Sequence, residues 1–213
     1  MIELVFVIVV LGILASLAMG RMDRDLRQEA AETILSHIRL AQQMALSDNK
    51  HRPSDGTSND NRWQRAYWQF TLRPINGNWR YRVGSDSDLG GGANGLGKFE
   101  AAINPIDGKY LWTNTTNLLN DESPVILLTK KYGINNVSFT NACVNRQIVF
   151  DYLGRPHSNT SYNNPDFSNI MTSDCNLTFT LSTDQDNDGN PDSFVITIEK
   201  ETGHAFIVGQ EAL

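Results

Sequence analysis

The chain has 213 residues, with 24 acidic and 18 basic side chains and a formal net charge of −6. Its length suits one packed domain together with an anchor. All basic residues, and every acid except Glu3, follow Gly20. This acidic balance disfavours a general attraction to nucleic acid or anionic lipid, although it leaves a local basic patch open.

The first stretch, Met1 to Met19, is almost wholly apolar and carries one charge, on Glu3. As a helix it would be about 27 Å long, close to the hydrocarbon thickness of a bilayer. We therefore predict a transmembrane helix. A cleaved secretory signal is the alternative, but no basic residue precedes the apolar run. An acid inside a bilayer costs about 3 kcal/mol at mid-depth, so we expect Glu3 to have a partner charge.

The runs Ile2-Glu3-Leu4 and Gly12-Ile13-Leu14-Ala15 resemble the N-terminal segment of type IV pilins and type II secretion pseudopilins. The resemblance implies that this sequence starts two residues after the usual mature end, following a basic leader and an N-methylated Phe. It also implies that Glu3 is an assembly residue that pairs with the N-terminal amine of a neighbouring subunit. The implied partners are other pilin or pseudopilin subunits, the inner membrane and prepilin peptidase.

A helical spacing continues beyond Gly20. Apolar residues recur at three- and four-residue steps with polar residues between them, which is typical of an amphipathic surface helix. We predict one helix of about 48 residues, roughly 70 Å long, with a transmembrane or filament-core part at 1–20 and an amphipathic continuation at 21–49. Two helices broken at Gly20 are the alternative. The apolar stripe consists of Leu26, Ala30, Ile34, Ile38, Ala41 and Ala45.

The remainder, 50–213, is predicted to be an antiparallel β-rich globular domain, because short alternating runs are separated by turn residues. Asn76-Gly77-Asn78 is predicted to close a hairpin. The segment Ile148 to Pro156, IVFDYLGRP, resembles a strand and turn of the H-type minor pseudopilins. The predicted fold class is α+β, a long N-terminal helix packed on an antiparallel β-sheet, pilin-like. The predicted strands lie at 66–73, 79–83, 137–140, 147–152, 177–181, 194–199 and 205–208.

The chain has two cysteines, Cys143 and Cys175. In a domain outside the cytoplasm, two cysteines most simply form one disulfide, and two free thiols are the alternative. The bond would close a loop of about 30 residues and stabilise the fold by roughly 3–4 kcal/mol.

An acidic loop near the C-terminus has the spacing of a calcium loop. Oxygen-bearing residues alternate, and Gly189 occupies the sixth position, as calcium loops require. The twelfth position holds Val195 in place of the usual Glu, so a further ligand would have to come from Glu199 or Glu201. We predict a Ca²⁺ site here, with a solvated acidic hairpin tip as the alternative. The predicted ligands are Asp184, Asp186, Asp188, Asn190 and Asp192.

No catalytic motif is evident in the sequence. The four histidines, His37, His51, His157 and His204, are dispersed and form no HExxH pattern. The glycine-rich run 90–97 lacks the Lys-Ser/Thr of a phosphate-binding loop. We therefore predict that the protein is not an enzyme.

Together with the predicted membrane helix, the resemblance implies a structural subunit, and specifically a minor one, of a type IV pilus or type II secretion pseudopilus that assembles through its hydrophobic N-terminal helix. Its predicted location is the bacterial inner membrane, as a single-pass protein with the globular domain in the periplasm or in an extracellular filament. One alternative is a minor pilin at a filament tip that binds a ligand or DNA. The other is an exported calcium-binding domain with a cleaved signal.

Overall fold

A computed structural model describes residues 2–50, 60–89, 95–143, 145–160, 167–184 and 188–210. For residues 2, 15–25, 60–62 and 141 it describes the backbone alone. The helices are α1 at Ile2–Ser47 and α2 at Leu128–Tyr132, with 3₁₀ turns at Asp60–Ala66, Lys98–Glu100 and Pro124–Ile126. The strands are β1 at Trp68–Ile75, β2 at Asn78–Ser85, β3 at Ile134–Asn141, β4 at Gln147–Phe150, β5 at Pro156–His157, β6 at Cys175–Leu181, β7 at Ser193–Ile198 and β8 at Ala205–Ile207.

Two four-stranded antiparallel sheets make up the domain. The first sheet has the order β2-β1-β4-β5 and the second has the order β3-β6-β7-β8. Asn76 and Gly77 join β1 to β2 with φ values of 51° and 77°, the left-handed pair that a two-residue hairpin turn requires. The strand β6 alternates buried and half-buried residues along its length, so every second side chain faces the core.

The helix α1 differs along its length. The side chains from Glu3 to Leu14 are all exposed. In the second half, by contrast, Ala30, Ile34, Ile38 and Ala41 are fully buried. These four residues fall on one helical face, and this face packs against the two sheets.

Polar contacts attach α1 to both sheets. Arg39 Nη2 donates to the carbonyl of Ala205 in the second sheet, at 2.8 Å. Gln42 Nε2 donates to the carbonyl of Gly154, 3.0 Å away, between two strands of the first sheet. The same nitrogen donates to the carbonyl of Thr202, 2.8 Å away, before β8 of the second sheet. One side chain of α1 therefore ties together loops of both sheets.

Cys143 and Cys175 form a disulfide, as the sequence predicts. Cys143 follows β3, and Cys175 opens β6 opposite Asn141. The bond therefore closes the end of a strand pair that the backbone has already brought together.

The predicted fold class is wrong in two respects. The strands form two sheets and not one, because β3 pairs with β6 and β4 pairs with β1 in the hairpin. In addition, no helix in the described parts of the chain is long and apolar enough to cross a membrane. The predicted single-pass anchor is therefore not supported.

The junction of α1 with the two sheets can be tested at Gly203, whose φ is +69°. A Cβ there would collide with the Gly154 carbonyl oxygen and lie 2.8 Å from Gln42 Nε2. Gly108 has the same φ of +69° but nothing within 4 Å of its Cβ position. We expect Gly108→Ala to lower the free energy of unfolding by about 1 kcal/mol, the cost of a left-handed alanine.

Gly203→Ala should cost about 1–3 kcal/mol more than Gly108→Ala, because the new methyl group also overpacks the junction. Urea unfolding of the two variants measures the difference. Equal losses of unfolding free energy in the two variants would show that the loops at Gly154 and Gly203 can move apart to accept the methyl group. That result would contradict a tightly packed junction of α1 with the two sheets.

Candidate assembly helix and candidate polar sites

The start of α1 carries ten large apolar side chains that are exposed to solvent, with exposed fractions from 37% for Val10 to 70% for Phe6. Since an α-helix has 3.6 residues per turn, this run covers every face of the helix. A helix that is apolar all round is normally buried, and exposed apolar surface of this extent marks an interaction site. The ten residues are Leu4, Val5, Phe6, Val7, Ile8, Val9, Val10, Leu11, Ile13 and Leu14.

Contacts further along α1 hold the helix on the domain. Glu29 Oε1 accepts a hydrogen bond of 2.8 Å from Lys131 Nζ in α2. Arg27 Nη1 lies 3.6 Å from Asp192 Oδ1, beside β7. The apolar start of α1 is therefore continuous with a helix that is fixed to the domain.

Glu3, the predicted assembly residue, lies in the first turn of α1 and is exposed. An acid at this end of a helix interacts favourably with the helix dipole, by about 0.3–1 kcal/mol at an exposed position. This local contribution needs no second subunit. The assembly role of Glu3 stays a prediction.

A groove of about 450 Å³ runs beside the buried half of α1. Leu35, Leu40 and Ile106 supply apolar walls, and Glu32 and Arg39 contribute charged groups to its lining. Sequence reasoning missed this groove, because Ile106 reaches α1 through the fold and not through any local pattern. The helix therefore borders exposed apolar surface in its second half as well.

In the described part of the predicted calcium loop, carboxylate groups accept hydrogen bonds from backbone N–H groups of the same loop. Asp184 Oδ2 accepts from the Gly189 N–H at 3.1 Å, and Asp188 Oδ1 accepts from the Asn190 N–H at 2.7 Å. Asp184 Oδ1 is buried and has no hydrogen-bond partner among the described residues. Asp186 lies outside those residues. The structure thus places Asp184 and Asp188 at one hairpin tip.

Asp192, another predicted calcium ligand, has different neighbours. Its Oδ2 accepts from the Thr183 hydroxyl at 3.4 Å, and its Oδ1 faces Arg27 at 3.6 Å. These contacts already engage the carboxylate with β6–β7 and α1. Calcium binding by this loop stays a prediction.

A second acidic cluster comprises Asp86, Asp88 and Glu100, whose carboxylate oxygens lie within 4.8 Å of one another. Glu100 Oε1 accepts from the N–H groups of Ser87 and Asp88, at 2.7 and 3.1 Å. Glu100 Oε2 accepts from the Gly97 N–H at 2.8 Å. Glu100 therefore has a clear structural role in this loop. The cluster could not be predicted from the sequence, because only the fold brings Glu100 close to Asp86 and Asp88 after β2.

Asp151, within the segment that resembles the H-type pseudopilins, is completely buried. Its Oδ1 accepts from the N–H groups of Leu153 and Arg155, at 2.9 and 3.0 Å. Its Oδ2 accepts from Arg155 Nε at 2.8 Å and lies 3.2 Å from His157 Nε2. Burial alone would raise the pKa of Asp151, but the bonds from His157 and Arg155 outweigh it and leave the pKa below its usual value.

The described histidines lie in separate surroundings. His37 Nδ1 is 2.7 Å from the Tyr81 hydroxyl in the core, and burial lowers the pKa of His37. His157 lies beside Asp151, and His204 stacks on Phe206. His51 falls outside the described residues.

Comparison of the chain with models of known protein families, with curated proteins and with solved structures finds no match. The resemblance to pilins and pseudopilins therefore rests on the residues of the sequence alone.

The buried carboxylate of Asp151 predicts a pH dependence of stability. Because its pKa is lower in the folded chain than in the unfolded one, it stabilises the fold above about pH 4. This contribution is lost as the pH falls through the folded value. We expect Asp151→Asn to lower the free energy of unfolding by about 3 kcal/mol at neutral pH and to flatten its decline in acid.

Glu29→Gln serves as the control, because it breaks the more exposed pair with Lys131 and should cost less than about 1 kcal/mol. Urea unfolding across the acid range measures both variants. An unchanged acid decline in Asp151→Asn would show that other carboxyl groups are responsible.

The two acidic clusters allow calcium binding to be assigned. At a calcium concentration of about 100 times Kd, the folded chain should gain about 2.7 kcal/mol, seen as a higher Tm that chelator reverses. Asp184→Asn should abolish this gain, and Asp88→Asn should retain it. The reverse pattern would move the site to the cluster of Asp86, Asp88 and Glu100, and no gain in the wild type would contradict calcium binding.

Proposed function

We propose that the chain is a structural subunit of a pilus or secretion pseudopilus, of the family that its N-terminal segment resembles, and that it assembles through residues 4–14 of α1. The observation that carries the proposal is the exposure of ten large apolar side chains on all faces of this segment. Such a helix gains about 1.5–3 kcal/mol for each large side chain that becomes fully buried. Packing among several copies would therefore offset association costs on the order of 4–15 kcal/mol.

Glu3 would have a specific part in this assembly. It is the single charged residue among the exposed positions 3–14. When neighbouring helices cover the segment, its carboxylate leaves water and requires a cationic or hydrogen-bonding partner. Buried polar groups of this kind can fix the register between helices. We assign Glu3 to the alignment of subunits and the apolar side chains to the strength of association.

The proposed location of the domain is the periplasm or an extracellular filament. The disulfide between Cys143 and Cys175 supports this location, because disulfides persist in oxidising compartments. The acidic charge of the chain would keep neighbouring domains soluble around a core of apolar helices.

The proposed assembly is tested by placing a charge in the exposed segment. Ile8→Asp should abolish self-association and filament formation, because it buries an unpaired carboxylate in each helix contact. The stability of the domain should not change, since Ile8 is 60% exposed. Glu3→Ala should reduce assembly at least about tenfold, as the loss of one partner of a buried pair predicts.

Val208→Asp is the matched control, because Val208 is exposed on the domain, away from the helix segment. Sedimentation velocity measures association, electron microscopy shows filaments, and urea unfolding reports the domain. Assembly of Ile8→Asp at the wild-type level would refute the role of the segment. A loss in Val208→Asp equal to that in Ile8→Asp would point to a general effect of added charge.

A further inference from the structure

Three arginines lie on one face of the first sheet. Arg73 is directly opposite Arg80 in the β1–β2 pair, and Thr71 is opposite Arg82. Directly opposed residues share a face, as do residues two apart on one strand. Tyr81, between Arg80 and Arg82, points the other way, where its hydroxyl meets His37 of α1. The arginines therefore occupy the face directed away from α1.

Two of these arginines are buried in an otherwise acidic protein. Arg80 is 1% exposed and Arg82 is 5% exposed. Arg80 Nη1 donates to the carbonyl of Thr115. Arg82 Nε donates to the carbonyl of Thr113 at 2.8 Å. Both acceptors are neutral and belong to one irregular segment that covers the sheet.

Arg80 and Arg82 have no adjacent carboxylate among the described residues. Among the described residues, no carboxylate oxygen lies within 4.0 Å of Arg80 or Arg82. Glu122 favours the charged form of both side chains. Its own carboxylate accepts from the Leu119 N–H at 3.0 Å and lies 3.9 Å from Lys98 Nζ. The carboxylate of Glu122 is therefore shared between Lys98 and the two buried arginines.

Arg80 also has unused bonding capacity. Its Nε is buried and has no acceptor in the part of the chain that the structure describes. The pKa of Arg82 is lowered to about 10, first by burial and then by the charges of Arg73 and Arg80. Buried arginines are nearly always paired, and an uncompensated buried charge is strongly unfavourable. Arg80 and Arg82 together have the electrostatic character of a site that lacks its anion.

We propose that Arg73, Arg80 and Arg82 form a binding site for an oxyanion of the phosphate type on the outer face of the first sheet. The planar guanidinium group donates two parallel hydrogen bonds to phosphate oxygens, which suits this ligand better than a spherical halide. Arg73 is half-buried, and the adjoining positions 114–117, which include the Arg80 acceptor Thr115, are exposed. We therefore place the entry of the anion at this segment, which has to move aside from the buried arginines. Binding replaces neutral carbonyl acceptors with a charged one.

Trp112 lies beside the arginine cluster. The Arg82 guanidinium lies 5.0 Å from the Trp112 ring centre. Arginines beside aromatic faces also suit a chain of phosphodiesters with stacked bases. The shared chemistry is the phosphate group, supplied either as a free oxyanion or as part of a nucleic acid strand.

The test uses the full chain with inorganic phosphate as the probe, at constant ionic strength set with chloride. Phosphate should raise the Tm of the wild type, and calorimetry should give a defined stoichiometry. Arg82→Lys keeps the positive charge but removes the planar guanidinium that donates two parallel hydrogen bonds. Arg73→Gln removes the positive charge of a half-buried side chain. Each should weaken phosphate binding at least about tenfold.

Arg27→Gln is the control, because it removes an arginine on α1, and it should bind phosphate like the wild type. A single-stranded oligonucleotide in a parallel titration tells the two ligand sources apart, since tighter binding than phosphate assigns the site to a strand. A Tm rise that is equal in all variants means an adventitious ion only and overturns the proposal, as does the absence of any rise. Ile8→Asp should bind phosphate normally, so this test is independent of assembly.

Discussion

The meeting point of α1 with the two sheets is the constraint on which the domain depends. Among the described strands the two sheets share no ladder, so their relative position must come from side chains. Gln42 supplies two such bonds, to Gly154 in one sheet and Thr202 before the last strand of the other. Gly203 passes so close to Gly154 that a methyl group would collide with its carbonyl oxygen. The same helix face buries Ile34 and Ile38, which couples the bonds to core packing.

Asp151 and Arg80 are both buried charged residues, but they differ in how far hydrogen bonds compensate for the loss of water. Asp151 receives hydrogen bonds from the backbone and side chain of its own turn, so the fold alone explains its burial. Arg80 has one neutral acceptor and an unbonded Nε among the described residues. Folding stability does not account for a cation in that position. The difference in bonding, and not burial itself, separates a structural charge from a candidate site.

Features set by neighbouring residues could be predicted from the sequence. The turn at Asn76 and Gly77 and the hairpin tip at Asp184 depend on local spacing, and the disulfide needed only the cysteine count. The division into two sheets could not be predicted, because it depends on β3 at Ile134–Asn141 pairing with β6 at Cys175–Leu181 after the chain has visited the other sheet. The arginine cluster was missed for the same reason, since it requires the register that places Arg73 opposite Arg80.

The two proposed surfaces obey different physics. Covering the apolar start of α1 is a hydrophobic process that brings acidic domains together, so screening by salt reduces their repulsion and favours assembly. Phosphate binding to the arginine cluster is an attraction between opposite charges, which the same screening weakens. The surfaces also lie on separate parts of the chain, at 4–14 in α1 and on the face of β1 and β2 directed away from it. Assembly and anion binding are therefore separable properties of one chain, and neither requires the other.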